Sequence, residues 1–301
     1  MTLRNTLTLI LNGGWTAEAE VSRNSGKACL KAARKEGWNA ELLEVDRALP
    51  EHLIALKPAR VFNALHGQMG EDGNIQGLLN LMDIPYTHSG LLASSIAMDK
   101  PATKHALGHL GIVFPDDIDF RIEDDRIIPD SGGAVVVKPR NDGSSIGVVI
   151  ARGADHIPAV TFWPDDTALM VEPYIPGREL TVAVLEGEPL TVTEITQDRA
   201  FYDYEAKYSS GGSSHQLPAD IPADIFDCCM EWAHLAHQHL GCRGVSRSDF
   251  RWDHEAGQVY MLEINTQPGM TATSLVPEQA AYCGIPMNEL VTRLLEAAQC
   301  D

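Results

Sequence analysis

The sequence predicts an α/β and α+β protein, a parallel α/β unit followed by two α+β blocks, and three observations predict it. Apolar strand-like runs alternate with helical patterns up to about residue 96. From Met98 onward short apolar runs are separated by Gly, Pro and polar turns, which favours mixed sheets over a continued parallel one. Near the C-terminus two strand-like segments flank a turn, as in a β-hairpin.

Taken in order, LTLIL (7–11) reads as a buried strand and is followed by Gly13-Gly14. A helical pattern then runs from about Glu20 to Glu36 and stops at Gly37. VFNAL (61–65) is a second strand, and the loop HGQMGEDGNIQG leads into the helical LLNLM. Ligands of such units sit beyond the C-terminal ends of the strands, where the Gly13–Glu18 and His66–Gly77 loops lie. MDKPATKHALGHLGI reads as a helix with Pro near its start, followed by FPDDIDF and a polar connection. AVVVK (134–138), VVIA (148–151) and ALMVEPYI (168–175) are strands. ELTVAVL and PLTVTEIT follow, then a loop with Tyr202, Tyr204 and Lys207. A helix from about Pro222 to Leu240 precedes the hairpin, and a last helix lies near Asn288–Ala298. His234, His237 and His239 read as the polar face of the first of these helices.

The 301 residues, 44% hydrophobic and 22% charged, are those of a globular chain with room for two or three domains. A net charge of −19 leaves no basic surface for nucleic acid, so an anionic ligand has to be held by a few placed Lys and Arg residues. No apolar run approaches the ~20 residues that span a bilayer, and the N-terminus reads as a first strand rather than a signal peptide. The six cysteines are scattered, without CxxC, and read as buried free thiols of a cytoplasmic protein.

The hairpin carries the strongest chemistry. With its turn centred near Ala256, Asp249 lies opposite Glu263 and Arg247 opposite Asn265. Side chains alternate along a strand, so all four share one face, while Phe250, Trp252, Tyr260, Leu262 and Ile264 share the other, apolar one. Two carboxylates and an amide oxygen suit Mg²⁺, which takes a few protein oxygens and completes its shell with water and substrate phosphates. A solvated polar face with an ordinary cross-strand ion pair is the competing reading. The small residues Pro268-Gly269-Met270-Thr271 that follow suit backbone amides approaching an anion.

A second group is VVVKPRNDGSSIG. Lys138 ends a strand, and Gly143, Ser144, Ser145 and Gly147 offer amides and hydroxyls to phosphate oxygens. The order is not that of a Walker A loop, and a flexible hairpin with a surface lysine fits the same residues.

Together LHGQMGEDGNIQG, MDK, VKPRNDGSSIGV, FYDYEAKY, GVSRSDF and LEINTQPGMTATSLVP resemble the D-alanine–D-alanine ligases of the ATP-grasp superfamily, in order and over nearly the whole chain. The resemblance implies an ATP-grasp architecture. Residues 1–96 would be the N-terminal substrate-binding domain, and 97–178 and 179–301 the two α+β subdomains that clamp ATP. It implies ligation of two D-alanines through an acyl phosphate, for peptidoglycan precursor synthesis, in a homodimer.

By the same resemblance Asp249, Glu263 and Asn265 would hold two Mg²⁺ ions, with Mn²⁺ an admissible substitute. Lys100, Lys138, Ser144, Ser145 and Lys207 would meet the phosphates, Glu172, Tyr174 and Ile175 the adenine, and Glu179 the ribose. Glu18 would receive the first D-alanine's ammonium, near His66; a first-turn helix Glu favoured by the macrodipole is the other reading of that residue. Arg247 and the Gly269 amide would stabilise the oxyanion, donors typically worth ~3–4 kcal/mol of barrier. Ser274 and Leu275 would face the second D-alanine's carboxylate, and Tyr208 would link to Ser144 and Glu18. Tyr208 also favours an amine acceptor, since D-lactate-using relatives tend to carry Phe there. Ala19 and Gln267 depart from the family's usual residues.

Other readings are a D-Ala–D-Lac or other ATP-grasp carboxylate–amine ligase, and a non-catalytic nucleotide-binding regulator. The intact metal face and Lys138 argue against the last, since an inactive copy need not keep them.

Overall fold

A computed structural model of the chain describes residues 3–153, 156–196 and 214–301. β1 (Thr8–Gly13) is buried at every position, because it is the middle strand of a parallel sheet ordered β2-β1-β3. β2 (Ala40–Val45) and β3 (Arg60–Asn63) flank it. α1 (Ala19–Lys35) covers one side of this sheet and gives way to Gly37 in the left-handed region (φ 79°). α2 (Leu49–Leu56) and α3 (Asn74–Leu81) cover the other, with Leu49, Leu53, Ile75 and Leu79 in one core with Leu9 and Leu11. The sequence reading skips β2 and α2. β2 carries Glu41 and Glu44 on an edge, and α2 is only eight residues long.

α4 (Leu91–Met98) and α5 (Lys100–Leu107) join this unit to the rest. Asp99 caps α5, its carboxylate accepting from the Ala102 amide at 2.9 Å, and it also pairs with Arg140 at 3.1 Å. That double anchor fixes where Lys100 starts. Next come a hairpin, β4 (Phe120–Glu123) and β5 (Arg126–Pro129), and an antiparallel sheet ordered β7-β6-β8. Its strands are β6 (Val135–Pro139), β7 (Val149–Ala151) and β8 (Leu169–Pro173).

The C-terminal block is an antiparallel sheet ordered β11-β10-β9-β12-β13. It contains β9 (Arg178–Leu185), β10 (Glu188–Thr196), β11 (Ser214–Gln216), β12 (Val245–Asp253) and β13 (Gln258–Asn265). α6 (Ala223–His239) packs Cys229, Ala233 and Ala236 on Leu180, Val182, Phe250 and Met261. Ala97, Leu107 and Ile112 share that core. α7 (Leu275–Tyr282) and α8 (Met287–Glu296) lie on the opposite face. There Val276, Ala280 and Leu290 join Ala183 and Val245 to Ile10 and Phe62, so one core links the first and last sheets.

Two expectations need correction. His237 is not on a polar face. It is buried and shares its ring nitrogen Nδ1 with the Ser246 hydroxyl at 2.8 Å. Burial lowers its pKa to about 4, so it is held neutral. All six thiols are free, but only Cys29 and Cys229 are buried, and Cys283 is exposed. No helix among the described residues is long and apolar enough to cross a membrane.

Candidate active site

The ribbon of β12 and β13 pairs Arg247 with Asn265 and Asp249 with Glu263, the register set by the alternation of charge and apolar residues. Below that point a bulge intervenes, and Phe250 faces Met261. Leu262 is the extra residue of the bulge. The core face is therefore Phe250, Trp252, Val259, Met261 and Ile264, while Tyr260 and Leu262 are only half-buried. Leu262 turns to the charged side and lines a cleft there.

On that side Asp249 is gripped by Arg247, from Nε at 2.8 Å and from Nη2 at 2.6 Å. Thr181 donates to the same carboxylate at 2.7 Å, and the Asn265 amide at 3.2 Å. Glu263 meets the Lys100 ammonium at 3.2 Å, and Lys100 also donates to the Asp142 carbonyl at 2.7 Å. Each carboxylate of the face already faces a positive group. Asp249 and Glu263, paired across the ribbon with Asn265 beside them, are hard oxygen donors of the kind a small divalent ion takes.

Two cavities meet at this face. The larger, about 450 Å³, is of ligand size. Lys100, Lys138, Ser145, Glu172, Tyr174, Ile175 and Glu179 all line it, which brings together most of the residues assigned above to nucleotide. At its back Lys138 meets Glu172 at 2.5 Å, and Lys104 meets the other oxygen of Glu172 at 2.7 Å. Burial pushes the Lys138 ammonium below its ordinary range, and Glu172 opposes the shift.

The smaller cavity, about 50 Å³, is lined by Glu18, His66, Glu71, Ser144, Arg247, Gly269, Ser274 and Leu275 among others. Asp249 and Glu179 border both cavities. The Ser144 hydroxyl donates to Glu18, across 126 residues of sequence. Ser144 and Ser145 both sit in the left-handed region, at φ 54° and 58°, a conformation that costs each about 1–2 kcal/mol. Gly67, at φ 72°, has no room for a side chain: a Cβ would come within 2.7 Å of Glu18. Gly269 lines the cavity, and a Cβ there would meet the Ser274 hydroxyl at 2.9 Å, so a side chain is excluded where Ser274 approaches. Ser274, the residue before the first turn of α7, closes the loop on itself, its hydroxyl accepting from the Thr271 amide at 3.0 Å. His66 is buried, 3.1 Å from the Ser25 hydroxyl, and burial lowers its pKa to about 4, so its ring is neutral.

Several contributing residues are absent from the sequence reading. Glu71 borders the small cavity and accepts from the Gly67 amide at 2.8 Å. Burial, with Glu18 beside it, holds its carboxyl well above the carboxylate range. Lys104 lies one helical turn beyond Lys100, a spacing that could have revealed it. Gln267, noted from the sequence only as a departure from the family's usual residue, is buried and bridges two parts of the chain. Its carbonyl accepts from Asn63 at 2.7 Å, and its amide donates to the Leu65 carbonyl. Lys207 and Tyr208 lie outside the described residues.

Residues 124–296 match the family described as "D-ala D-ala ligase C-terminus", and residues 49–89 its "D-ala D-ala ligase N-terminus" counterpart. The chain belongs to the D-alanine–D-alanine ligase family of enzymes. It is 50% identical over 300 residues to the D-alanine–D-alanine ligase of Rhodospirillum rubrum, covering 97% of this chain and 98% of that one. With that of Roseobacter denitrificans it shares 48% over 294 residues, 97% of this chain and 92% of the other. The crystal structure of the D-alanine–D-alanine ligase from Bacillus anthracis superposes with a TM-score of 0.82 at 29% identity, covering 97% of each chain. The same enzyme complexed with ATP gives 0.81 at 26%, with equal coverage. The ATP-grasp fold expected of this family is thus the fold of this chain.

Proposed function

We propose that this ligase joins two D-alanines into D-alanyl-D-alanine at the expense of ATP, supplying a precursor of peptidoglycan. The observation that carries the reading is the junction at Asp249. A ligand-sized cleft with Lys100 and Lys138 opens on one side of it, and a small pocket with Glu18, Arg247 and the Gly269 amide on the other.

In this reading residues 1–96 present the first amino acid, and 97–178 and 179–301 close on the nucleotide. The buried Glu18 takes the ammonium of the first D-alanine, held in place by the Ser144 hydroxyl. The carboxylate of that D-alanine takes the γ-phosphoryl group of ATP, releasing ADP, with Lys100 and Lys138 facing the phosphates; Asp249, Glu263 and Asn265 would hold Mg²⁺ or Mn²⁺ there. The ion, when bound, neutralises phosphate charge and polarises the γ-phosphoryl group. The amine of the second D-alanine, its carboxylate at Ser274 and Leu275, attacks the acyl phosphate and displaces phosphate. Arg247 and the Gly269 amide face the oxygen on which charge develops. Enclosure matters here, because water hydrolyses an acyl phosphate.

Ile54 and Leu56 on α2 and Leu81 on α3 stand exposed on one layer of the first sheet. We assign that layer to the homodimer contact of a cytoplasmic enzyme.

The test is phosphate release and dipeptide formation by purified protein with ATP and Mg²⁺. D-alanine, D-serine, D-lactate and L-alanine are offered as substrates. Release with D-alanine is the predicted result. Release only with another amino or hydroxy acid contradicts the assignment. On the acceptor side, Tyr208→Phe is predicted to raise use of D-lactate relative to D-alanine at neutral pH, and an unchanged ratio refutes that role.

A further inference from the structure

Arg251 belongs to none of the groups assigned above, yet it lies inside the nucleotide cleft. It follows Arg247 and Asp249 on the same face of β12 and pairs directly with Glu179 of β9. Its guanidinium reaches three elements of the cleft wall. Nε donates to the Ile175 backbone carbonyl at 3.3 Å, Nη1 lies 3.5 Å from the Glu179 carboxylate, and Nη2 lies 3.4 Å from the Tyr174 hydroxyl. The plane also covers the Tyr174 ring, 5.8 Å from its centre. One side chain therefore ties the segment after β8, Tyr174 and Ile175, to the strand that carries Glu179.

The fork geometry explains why an arginine serves here. A planar guanidinium can direct separate N–H groups at a carbonyl and a carboxylate while stacking on a ring, which an ammonium cannot do. The Ile175 carbonyl has two lone pairs, so one stays available to a ligand donor while Arg251 holds the other. A fixed acceptor there favours a base carrying an exocyclic amine over one carrying a carbonyl in the same place. The Glu179 carboxylate, held by Arg251 on one edge, presents acceptor oxygens to a sugar hydroxyl.

We propose that Arg251 is the positioning residue for nucleotide selection: by fixing the Ile175 carbonyl and the Glu179 carboxylate it favours an amino-bearing base and a 2′-hydroxyl on the sugar. The inference rests on the reading of this cleft as the nucleotide site, and it assigns Arg251 no part in the bond-making steps.

The experiment compares ATP, 2′-deoxy-ATP and GTP as substrates for wild type, Arg251→Met, Arg251→Lys and Glu179→Gln, with D-alanine saturating. Arg251→Met keeps the apolar stem but loses the fork. It is predicted to raise KM for ATP on the order of tenfold, as expected for weakened hydrogen bonds, with kcat and KM for D-alanine changed less than about threefold. The ATP to deoxy-ATP preference is predicted to shrink to that of Glu179→Gln, and the ATP to GTP preference to shrink with it. Arg251→Lys, which keeps the charge, is predicted to lose the same discrimination with a smaller rise in KM. This variant decides the question if the methionine variant does not fold. Wild-type KM and wild-type preferences in the Arg251 variants, with Glu179→Gln altered, overturn the role of Arg251 alone. If Glu179→Gln also keeps the wild-type preference for ATP over deoxy-ATP, the nucleotide reading of the cleft falls as well.

Discussion

Asp249 and Glu263 each face a cation in this structure, yet their predicted roles differ from those of ordinary surface pairs. An exposed pair contributes about 0–1 kcal/mol, and its loss changes little. Glu263 stands within the cleft beside Lys100, so removing its charge is predicted to act on phosphate transfer. Glu263→Gln is predicted to lower turnover at least ~100-fold, the scale of losing a metal-held charge worth several kcal/mol. Its melting temperature should stay within a few degrees of wild type. Near wild-type turnover contradicts the metal role. At Ser145 the prediction runs differently. Its left-handed φ costs energy that glycine does not pay. Ser145→Gly is predicted to raise stability by up to about 1 kcal/mol in denaturant melts while KM for ATP rises. A loss of stability would show that the serine side chain supports the loop more than its backbone strains it.

Among elements, the ribbon was legible down to its pairing. Arg247, Asp249, Glu263 and Asn265 alternate with apolar residues on both strands, and burial permits only one register. The bulge was not legible. It needs one surplus residue, Leu262, which keeps the hydrophobic character of its neighbours while changing sides. α7 gives little sequence signal, because LVPEQAAY has Pro277 in its first turn and follows a loop of small residues. The burial of His237 does have a signal in the sequence. The residue falls four residues after Ala233 and eight after Cys229, on the buried stripe of α6. The unusual Gln267 gains a meaning only in three dimensions, where it joins the Leu65–Gly70 segment to the loop before Gly269. Gln267→Leu keeps its bulk but leaves the Leu65 carbonyl without that donor, at a cost of about 1–3 kcal/mol. The same variant is predicted to raise KM for D-alanine more than KM for ATP, since the segment it holds carries His66 and Gly67. Equal effects on both would assign Gln267 to general stability.

At the scale of the whole molecule, the succession from a parallel unit to antiparallel blocks is legible in the change of pattern near Met98. Their joining through a common core is not, because it depends on which helix faces pack together: Ile10 and Phe62 meet Ala183, Val276 and Leu290 across the chain. The buried histidines give the molecule a predicted acid limit. Burial lowers His66 and His237 to about 4 and His88 to about 3, from an ordinary 6.5. The unfolded chain therefore binds protons that the folded chain refuses. Their contribution is fully present above pH 6.5 and is lost as pH falls from 6.5 toward 4, at about 1.4 kcal/mol per pH unit for each histidine. Glu71, whose raised pKa favours the folded state as pH falls toward 4.5, offsets part of this. Denaturant melts are predicted to show a clear fall in stability between pH 6.5 and 5. A flat profile across that window contradicts the neutral burial of the histidines.

The central claim is that the charged side of the β12–β13 ribbon carries the divalent ions that bring the nucleotide phosphates to the amino acid. Manganese binding followed by electron paramagnetic resonance, with a non-hydrolysable ATP analogue present, tests it most directly. Wild type should bind two Mn²⁺ per chain in a nucleotide-dependent way, and Glu263→Gln should lose at least one of them. Equal nucleotide-dependent binding in the two proteins, or none in wild type, would contradict the account.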